Sequence, residues 1–420
     1  MSGDPAVDST LGGPQRSGPL PGDGRALLSI AIQFFVNGVV FASFIPRLPE
    51  IRDRIDVSTS TMGGLLAVGG AAGLLGSAVV GRAIERFGSR RVLVGGAVVL
   101  VGALGILGLA VTPVVFLAGL MVLSSMDVFV DASMNLQGSW VSGRRRVPVM
   151  NRLHGVWSLG TVVGGVVAAR AASAGVSLQV HLLVASAVTL VVVGFVGTGL
   201  IRDDRVGGGD ATATTATTTE AVPTVDTDGE PDPVRTTDGR RRAPLGPLVL
   251  LGLASACAIM MEMTSTDWSA FRLRDDLDAA PGVAGLGFVA FTVGMTVGRF
   301  GGDSLIGRFG QQRIFRVSIL VTIVSLVAIS FATTTGLVVA AYGVAGAGVA
   351  TQFPKLYNDA ARHPGRRGAG LGALTAGSRV ALLITPALVG ALAGTSLSVG
   401  AATAVVTLPA AVAFFVIGRR

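Results

Sequence analysis

Apolar residues in this chain come in long, nearly unbroken runs separated by short polar stretches. A helix needs about 20 largely apolar residues to cross a bilayer. Runs of that length predict spans near 26–46, 61–83, 92–111, 114–138, 150–171, 178–200, 246–269, 283–304, 313–332, 335–356, 367–390 and 396–417. Strands of a membrane barrel would alternate polar with apolar positions, and these segments do not. The pattern therefore predicts an all-α integral membrane protein with twelve transmembrane helices.

Two polar segments interrupt it. Residues 1–25 are rich in Gly, Pro, Ser and Asp, which predicts a disordered cytoplasmic tail and a first helix that is retained rather than cleaved. Residues 201–245 are rich in Thr, Asp, Gly and Pro and hold little that can build a core, so they read as a disordered cytoplasmic linker. The linker divides the chain into six-helix units at 26–200 and 246–420. These halves resemble each other. GLLGSAVVGRAIERFGSRRV (73–92) aligns with MTVGRFGGDSLIGRFGQQRI (295–314) at a constant offset of 222, with Arg-Phe-Gly at the same place in both. Two pseudo-symmetric six-helix bundles around a central cavity are the expected architecture.

Composition agrees with the pattern. The 420 residues are 50% hydrophobic and 14% charged, with mean hydropathy +0.67 and 60 glycines. Small residues suit close helix contact in lipid. The net charge of +8 does not point to nucleic acid, because the basic residues cluster between apolar runs without an RNA motif or zinc-finger spacing. Topology accounts for them. One set of connections holds Arg82, Arg86, Arg90 and Arg91, then Arg144 to Arg146, Arg240 to Arg242, Arg308 and Arg313, Arg362, Arg366 and Arg367, and finally Arg419 and Arg420. The opposite set holds chiefly Arg47, Arg52, Arg54, Arg272 and Arg274, interleaved with acids. The positive-inside rule places both termini in the cytoplasm. Trp140 and Trp268 are expected at opposite interfaces, and Lys355, the only lysine, as an interface anchor. Cys257 is alone, which leaves no disulfide framework and no metal cluster to expect.

At this point the chain resembles the major facilitator superfamily. Its loop motif, G-x-L-a-D-R-x-G-R-R, is matched with conservative changes by Gly81, Ile84, Glu85, Arg86, Gly88, Arg90 and Arg91. In the second half Arg308, Gly310 and Arg313 match, while Gly307 replaces the acid and Asp303 stands at the first glycine. DASMNLQGSWV, NRLHGVWSLGTVVGG and EMTSTDWSAFRLRDDL are similar to the fucose-permease-like branch. The resemblance implies a monomer that takes up a small polar solute such as a sugar. It also implies that Glu85 and Arg86 form a conformational latch. Glycine supplies the turn, and an acid beside arginines at helix ends can bond the neighbouring bundle in one state and release it in another. The plainer reading is that Arg86, Arg90 and Arg91 serve topology alone.

Charges inside the spans carry the candidate chemistry. Asp127, Asp131 and Asn135 recur at intervals of four and so share one stripe of a helix. A carboxylate near a span centre costs about 2.5–3.5 kcal/mol on insertion scales, so the stripe must face protein or water. Two ionised carboxylates roughly 6 Å apart also repel by about 3 kcal/mol at an effective dielectric of 20. One of the pair is expected to hold a proton, with Asp131 preferred because His154 lies at similar depth. The plainer reading is a salt bridge to Arg152 or Arg379. Arg379, mid-span, is expected to pair with Asp127 or Glu262. Glu262 is a candidate for solute or proton binding or for an internal bond, and Asp267 reads as a rim residue. His154 is a loop-edge hydrogen-bonder or a proton relay. Trp157 and Phe129 are packing residues or cavity walls. Asn37, Gln352 and Asn358 are candidates to line a polar cavity.

The sequence thus predicts a secondary transporter of the cytoplasmic membrane whose bundles rock around a central site. It has no G-x-x-x-x-G-K-[ST] loop, so ATP is not expected to drive it, and protons are the expected coupling ion. Membrane lipid and a small solute are the expected partners; no cofactor is expected. Export of drugs or metabolites by antiport uses the same architecture and stays open. So does a receptor that binds without flux. An enzyme is not expected, since the chain has no H-E-x-x-H pair.

Overall fold

In lipid a spanning segment must satisfy its own backbone N–H and C=O groups, and helices do so. A computed structural model describes residues 23–145, 147, 149–202, 245–361 and 369–418. The predicted tail and linker fall almost wholly outside the described residues, as do Arg146, Arg240 to Arg242, Arg362, Arg366, Arg367, Arg419 and Arg420. Among the described residues there is no strand, and 12 helical segments are long and apolar enough to cross a membrane.

In chain order the helices are α1 (Asp23–Phe44), α2 (Leu48–Arg54), α3 (Thr59–Phe87), α4 (Ser89–Leu109), α5 (Pro113–Arg145), α6 (Met150–Ser173), α7 (Leu178–Gly199) and α8 (Leu245–Asp267). They continue with α9 (Ser269–Leu277), α10 (Pro281–Ala284), α11 (Leu286–Phe309), α12 (Gln311–Phe331), α13 (Thr335–Val349), α14 (Gln352–Ala361), α15 (Ala369–Ala393) and α16 (Val399–Ile417). Each predicted span is found. Three details differ from expectation. The fourth span runs on to Arg145, the tenth is broken between α13 and α14, and α2, α9 and α10 are short helices at one end of the molecule.

That end is also where serines start helices. Ser58, Ser177 and Ser398 each accept a hydrogen bond from the backbone N–H three residues on, at Thr61, Val180 and Ala401. At the other, arginine-rich end the turns need glycine. Gly88 and Gly310 hold φ of +79° and +81° with ψ near 150°, a region side chains avoid. They stand 222 residues apart, the offset of the sequence repeat. Around them the repeat extends to contacts. Arg86 lies over Phe87 at 5.4 Å and Arg308 over Phe309 at 5.3 Å. Arg90 donates to the Gly197 carbonyl at 3.0 Å, and Gln312 to that of Gly418 at 3.1 Å. The apolar core falls into two clusters, one around Phe34, Leu100 and Phe116 that also takes in Trp268 and Phe271 of the second half, the other around Phe291, Ile319 and Phe414. Leu75, Phe195, Val297 and Val324 point outward, as a lipid-facing surface requires.

The halves meet at the end bearing α2, α9 and α10. There α3 and α15 approach so closely that a Cβ on Gly63 would lie 2.5 Å from the Pro386 carbonyl oxygen and 2.7 Å from Gly390 Cα. Arg52 of α2 forks Asp275 of α9, with Nη1 donating to Oδ2 at 2.5 Å and Nη2 to Oδ1 at 3.0 Å, and its guanidinium lies 5.4 Å from the centre of the Phe271 ring. We refer to this as the sealed end.

Two expected interface anchors are corrected here. Trp268 is fully buried, 5.0 Å from Phe271, because α9 folds back against the bundle where the chain was expected to reach the membrane surface. Lys355 turns inward, pairing with Asp359 at 2.6 Å over the Phe315 ring.

Candidate functional site

Between the halves, a cavity of about 260 Å³ opens near the arginine-rich end. Asn151, Arg152, His154, Gly155 and Ser158 of α6 form one wall. Thr296, Arg299 and Phe300 of α11, with Thr351 and with Phe353 and Tyr357 of α14, form the other. The break at Ala350 and Thr351 lets α14 leave the line of α13 and bring its aromatic rings to this wall. A second cavity of about 140 Å³ lies nearer the sealed end, lined by Phe41, Trp157, Thr161, Glu262, Met263, Phe288 and Met295, among others. Ser158 and Thr296 line both, so the two form one path. It stops where Gly165 of α6 meets Phe288 and Val289 of α11 and where α10 lies against Ala169 and Ser173.

Of the residues predicted from sequence, His154, Trp157 and Glu262 come together on this path, and Arg152 joins them at its mouth. His154 meets the Phe34 ring edge-on at 5.2 Å. Gly38 of α1 sits against the Trp157 backbone, so a side chain there would drive α1 off α6.

The α5 stripe is separate from both linings. Asp127 is half-buried and accepts from Asn37 Nδ2 of α1 at 3.2 Å. Asp131 accepts from Asn135 Nδ2 at 2.9 Å. Each carboxylate thus has an amide donor, which eases the repulsion expected between them. The expected arginine partners are not found. Among the described residues Arg152 and Arg379 make no ion pair. Insertion cost is measured against lipid, and Arg379 is half-buried within the protein, so that cost does not fix a carboxylate beside it. Gln352 is buried and binds Thr322 Oγ1 at 3.1 Å, tying α14 to α12. Asp267 accepts from Thr266 Oγ1 at 3.1 Å. Phe129 packs against Gly76 and Gly96. The side chains of Asp303 and Asn358 lie outside what is described.

Sequence reasoning missed Arg299. Like Arg379 it lies deep in a span, ten residues or about 15 Å from the end of α11, and its Nη1 donates across the halves to Ser158 Oγ at 3.4 Å. The lone arginine in MTVGRFGGD is a legible signal, in a stretch that otherwise reads as part of the repeat. Ser158, Thr296 and Thr351 carry no such signal.

The family model described as Major Facilitator Superfamily matches residues 30–267 and 250–420. The chain belongs to that superfamily. This superfamily transporter is 28% identical over 332 residues to the uncharacterized transporter y4wD of Sinorhizobium fredii, covering 79% of this chain and 81% of that one. It is 25% identical over 346 residues to membrane protein MosC of Rhizobium meliloti, covering 81% and 77%. Its fold is shared with a point mutant of the nucleoside transporter NupG, at TM-score 0.70 and 11% identity over 94% of this chain and 98% of that one. It is also shared with a bacterial homolog of the lysosomal transporter Spinster in an inward-facing, unoccupied conformation, at TM-score 0.65 and 14% identity over 96% and 98%.

The superfamily loop is not engaged as a latch in this conformation. Glu85 is exposed and, among the described residues, makes no hydrogen bond or ion pair. Gly81 is open to space, Arg86 lies over its neighbour Phe87, and Arg90 ties α4 to α7 within the same half. Arg91, Arg308 and Arg313 stand at the same end beside these turns.

Proposed function

We propose that this transporter carries a small polar solute across the cytoplasmic membrane by alternating access, driven by protons, and that the conformation described is the one open to the cytoplasm. The observation that carries the reading is the one-sided path between the halves. It runs from the arginine-rich end past Arg299 and Trp157 to Glu262 and ends beneath the Arg52–Asp275 seal. The arginine distribution supports a cytoplasmic position for that end and for both termini. Hydroxyls and arginines at the mouth suit a polar solute, and Trp157 and Phe288 deeper in offer a face on which a sugar ring can stack. The resemblance to the fucose-permease-like branch supports the same solute class. The proton reading rests on Asp127 and Asp131, two carboxylates within one span that neutral amides accompany.

Reconstitution into liposomes with an imposed pH gradient tests this. Uphill accumulation of a solute from a panel of sugars and related polyols, collapsed by an ionophore, is expected. A panel that binds without any member crossing would identify a receptor on a transporter fold.

A further inference from the structure

The carboxylates of α5 stand off the solute path, so a proton bound there must be felt elsewhere if it is to drive transport. One helix, α1, touches both places. On one side the buried Asn37 donates from Nδ2 to Asp127 at 3.2 Å. The next residue points about 100° round the helix, and there Gly38 packs on α6 so closely that a Cβ would meet the Trp157 carbonyl oxygen and lie 2.9 Å from the Thr161 backbone N. Phe34 and Phe41 share the Gly38 stripe by helical spacing. Phe34 meets the His154 ring, and Phe41 lines the second cavity with Trp157 and Glu262. Asn37 carries a further mark. Its Oδ1 is buried and, among the described residues, accepts no hydrogen bond. A buried carbonyl without a donor is costly, and an ionised Asp127 cannot relieve it, because a carboxylate only accepts. A protonated Asp127 has an O–H to give.

We propose that α1 couples the proton site to the solute path, with Asn37 as the positioning residue. While Asp127 is ionised, a single bond joins it to Asn37. Once a proton sits on Asp127, acid and amide can pair through two parallel bonds, O–H to Asn37 Oδ1 and Nδ2–H to the carboxyl carbonyl. Aligning the two groups turns α1 toward α5. Gly38 leaves no slack against the Trp157 backbone, so the turn changes how the α6 wall of the path is held. The proposal rests on the proton reading: Asp131, about 6 Å along α5 toward the arginine-rich end, passes the proton on, and Asp127 is where its arrival registers.

Trp157 reports the coupling without any solute, in the intact protein held in nanodiscs. Its emission is the part of the spectrum lost in Trp157→Phe, titrated from mildly acid to mildly alkaline pH. The parent is expected to show a transition that is lost in Asp127→Asn and also in Asn37→Leu, which keeps the shape of the side chain without its amide. Of the helices packed against α5, α1, α3 and α4 carry their charges in the turns at the arginine-rich end, Asp23 and Arg25, then Arg82, Glu85 and Arg86, then Arg90 and Arg91. On α6, Arg152 and His154 lie toward that end and Arg170 near the other. His154 is one turn from Trp157 and Glu262 lines the same cavity, so His154→Gln and Glu262→Gln are the controls, and both are expected to keep the transition. A merely structural Asn37 would lower the melting temperature in Asn37→Leu and leave the transition in place. Where Asn37→Leu fails to fold, Asn37→Ala is expected to lose the transition in the same way. No transition in the parent, one that survives Asp127→Asn or the Asn37 variant, or one that disappears with His154→Gln or Glu262→Gln overturns the proposal. Accumulation of a sugar or polyol under a pH gradient that is undiminished in the Asn37 variant would defeat this coupling alone. The expected Trp157 behaviour in a protein that accumulates no member of the panel would defeat proton-driven transport alone.

Discussion

The Arg52–Asp275 pair joins the halves at the sealed end, so opening that end must break it. Asp275→Asn keeps the shape and removes the charge. The side chains are 14% and 22% exposed, between the surface case, where ion pairs contribute about 0–1 kcal/mol, and the buried case, where breaking one costs about 3–5 kcal/mol. Arg52 keeps Asp53, Thr59 and the Phe271 face, so it is not stranded. A loss of about 1–2 kcal/mol follows from one charge-assisted fork with its cation otherwise supported. Because the fork belongs to the sealed form, that loss raises the open-to-sealed ratio about 5- to 30-fold. Spin labels on cysteines replacing Ser58 and Thr395, both exposed at the sealed end, report it by electron–electron distance measurement. The variant should gain a longer-distance population, and the swap Arg52→Asp with Asp275→Arg should lose most of it again. Identical distance distributions in parent and Asp275→Asn would refute the claim that this pair holds the end shut.

Other expectations concern the turns, the loop and the stripe. Gly88→Ala should lower unfolding stability by about 1–3 kcal/mol, since its φ of +79° suits glycine alone; a midpoint unchanged in denaturant titration counts against it. Glu85 has no partner in this conformation, so any bond it forms favours the alternative one, and Glu85→Gln should leave the Ser58–Thr395 distance the same or shorter; a longer distance contradicts the sign. Asp131→Asn should abolish accumulation driven by a pH gradient while solute exchange remains measurable; undiminished uphill accumulation removes Asp131 as the proton carrier.

The spans were legible because crossing lipid imposes a length and a composition that the chain must meet residue by residue. The extra turns of α5 were not, since helix beyond the bilayer answers to packing and not to hydropathy. Burial of Trp268 and the bend at Ala350 depend on where α9 and α14 fold back, which no local pattern fixes. At the site, His154, Trp157 and Glu262 stood out as polar or aromatic groups within apolar runs, and the path collects them. The partners assigned to Arg152 and Arg379 failed because insertion cost requires shelter and does not name who gives it. The Arg52–Asp275 fork joins residues 223 apart that both lay in connections of mixed charge, where many pairings satisfy the pattern equally.

At the arginine-rich end, Gln137 donates to both Ser89 and Ile201 and accepts from the Ile201 N–H, while Arg90 holds Gly197. Amide clasps of this kind bind α4, α5 and the tail of α7 to one another, and Gln312 does the like for Gly418 beside α12. A covalent staple placed across any of these joints would therefore tie together only helices of one half, whereas one linking Gly63 to Gly390 would pin the two halves to each other at the sealed end.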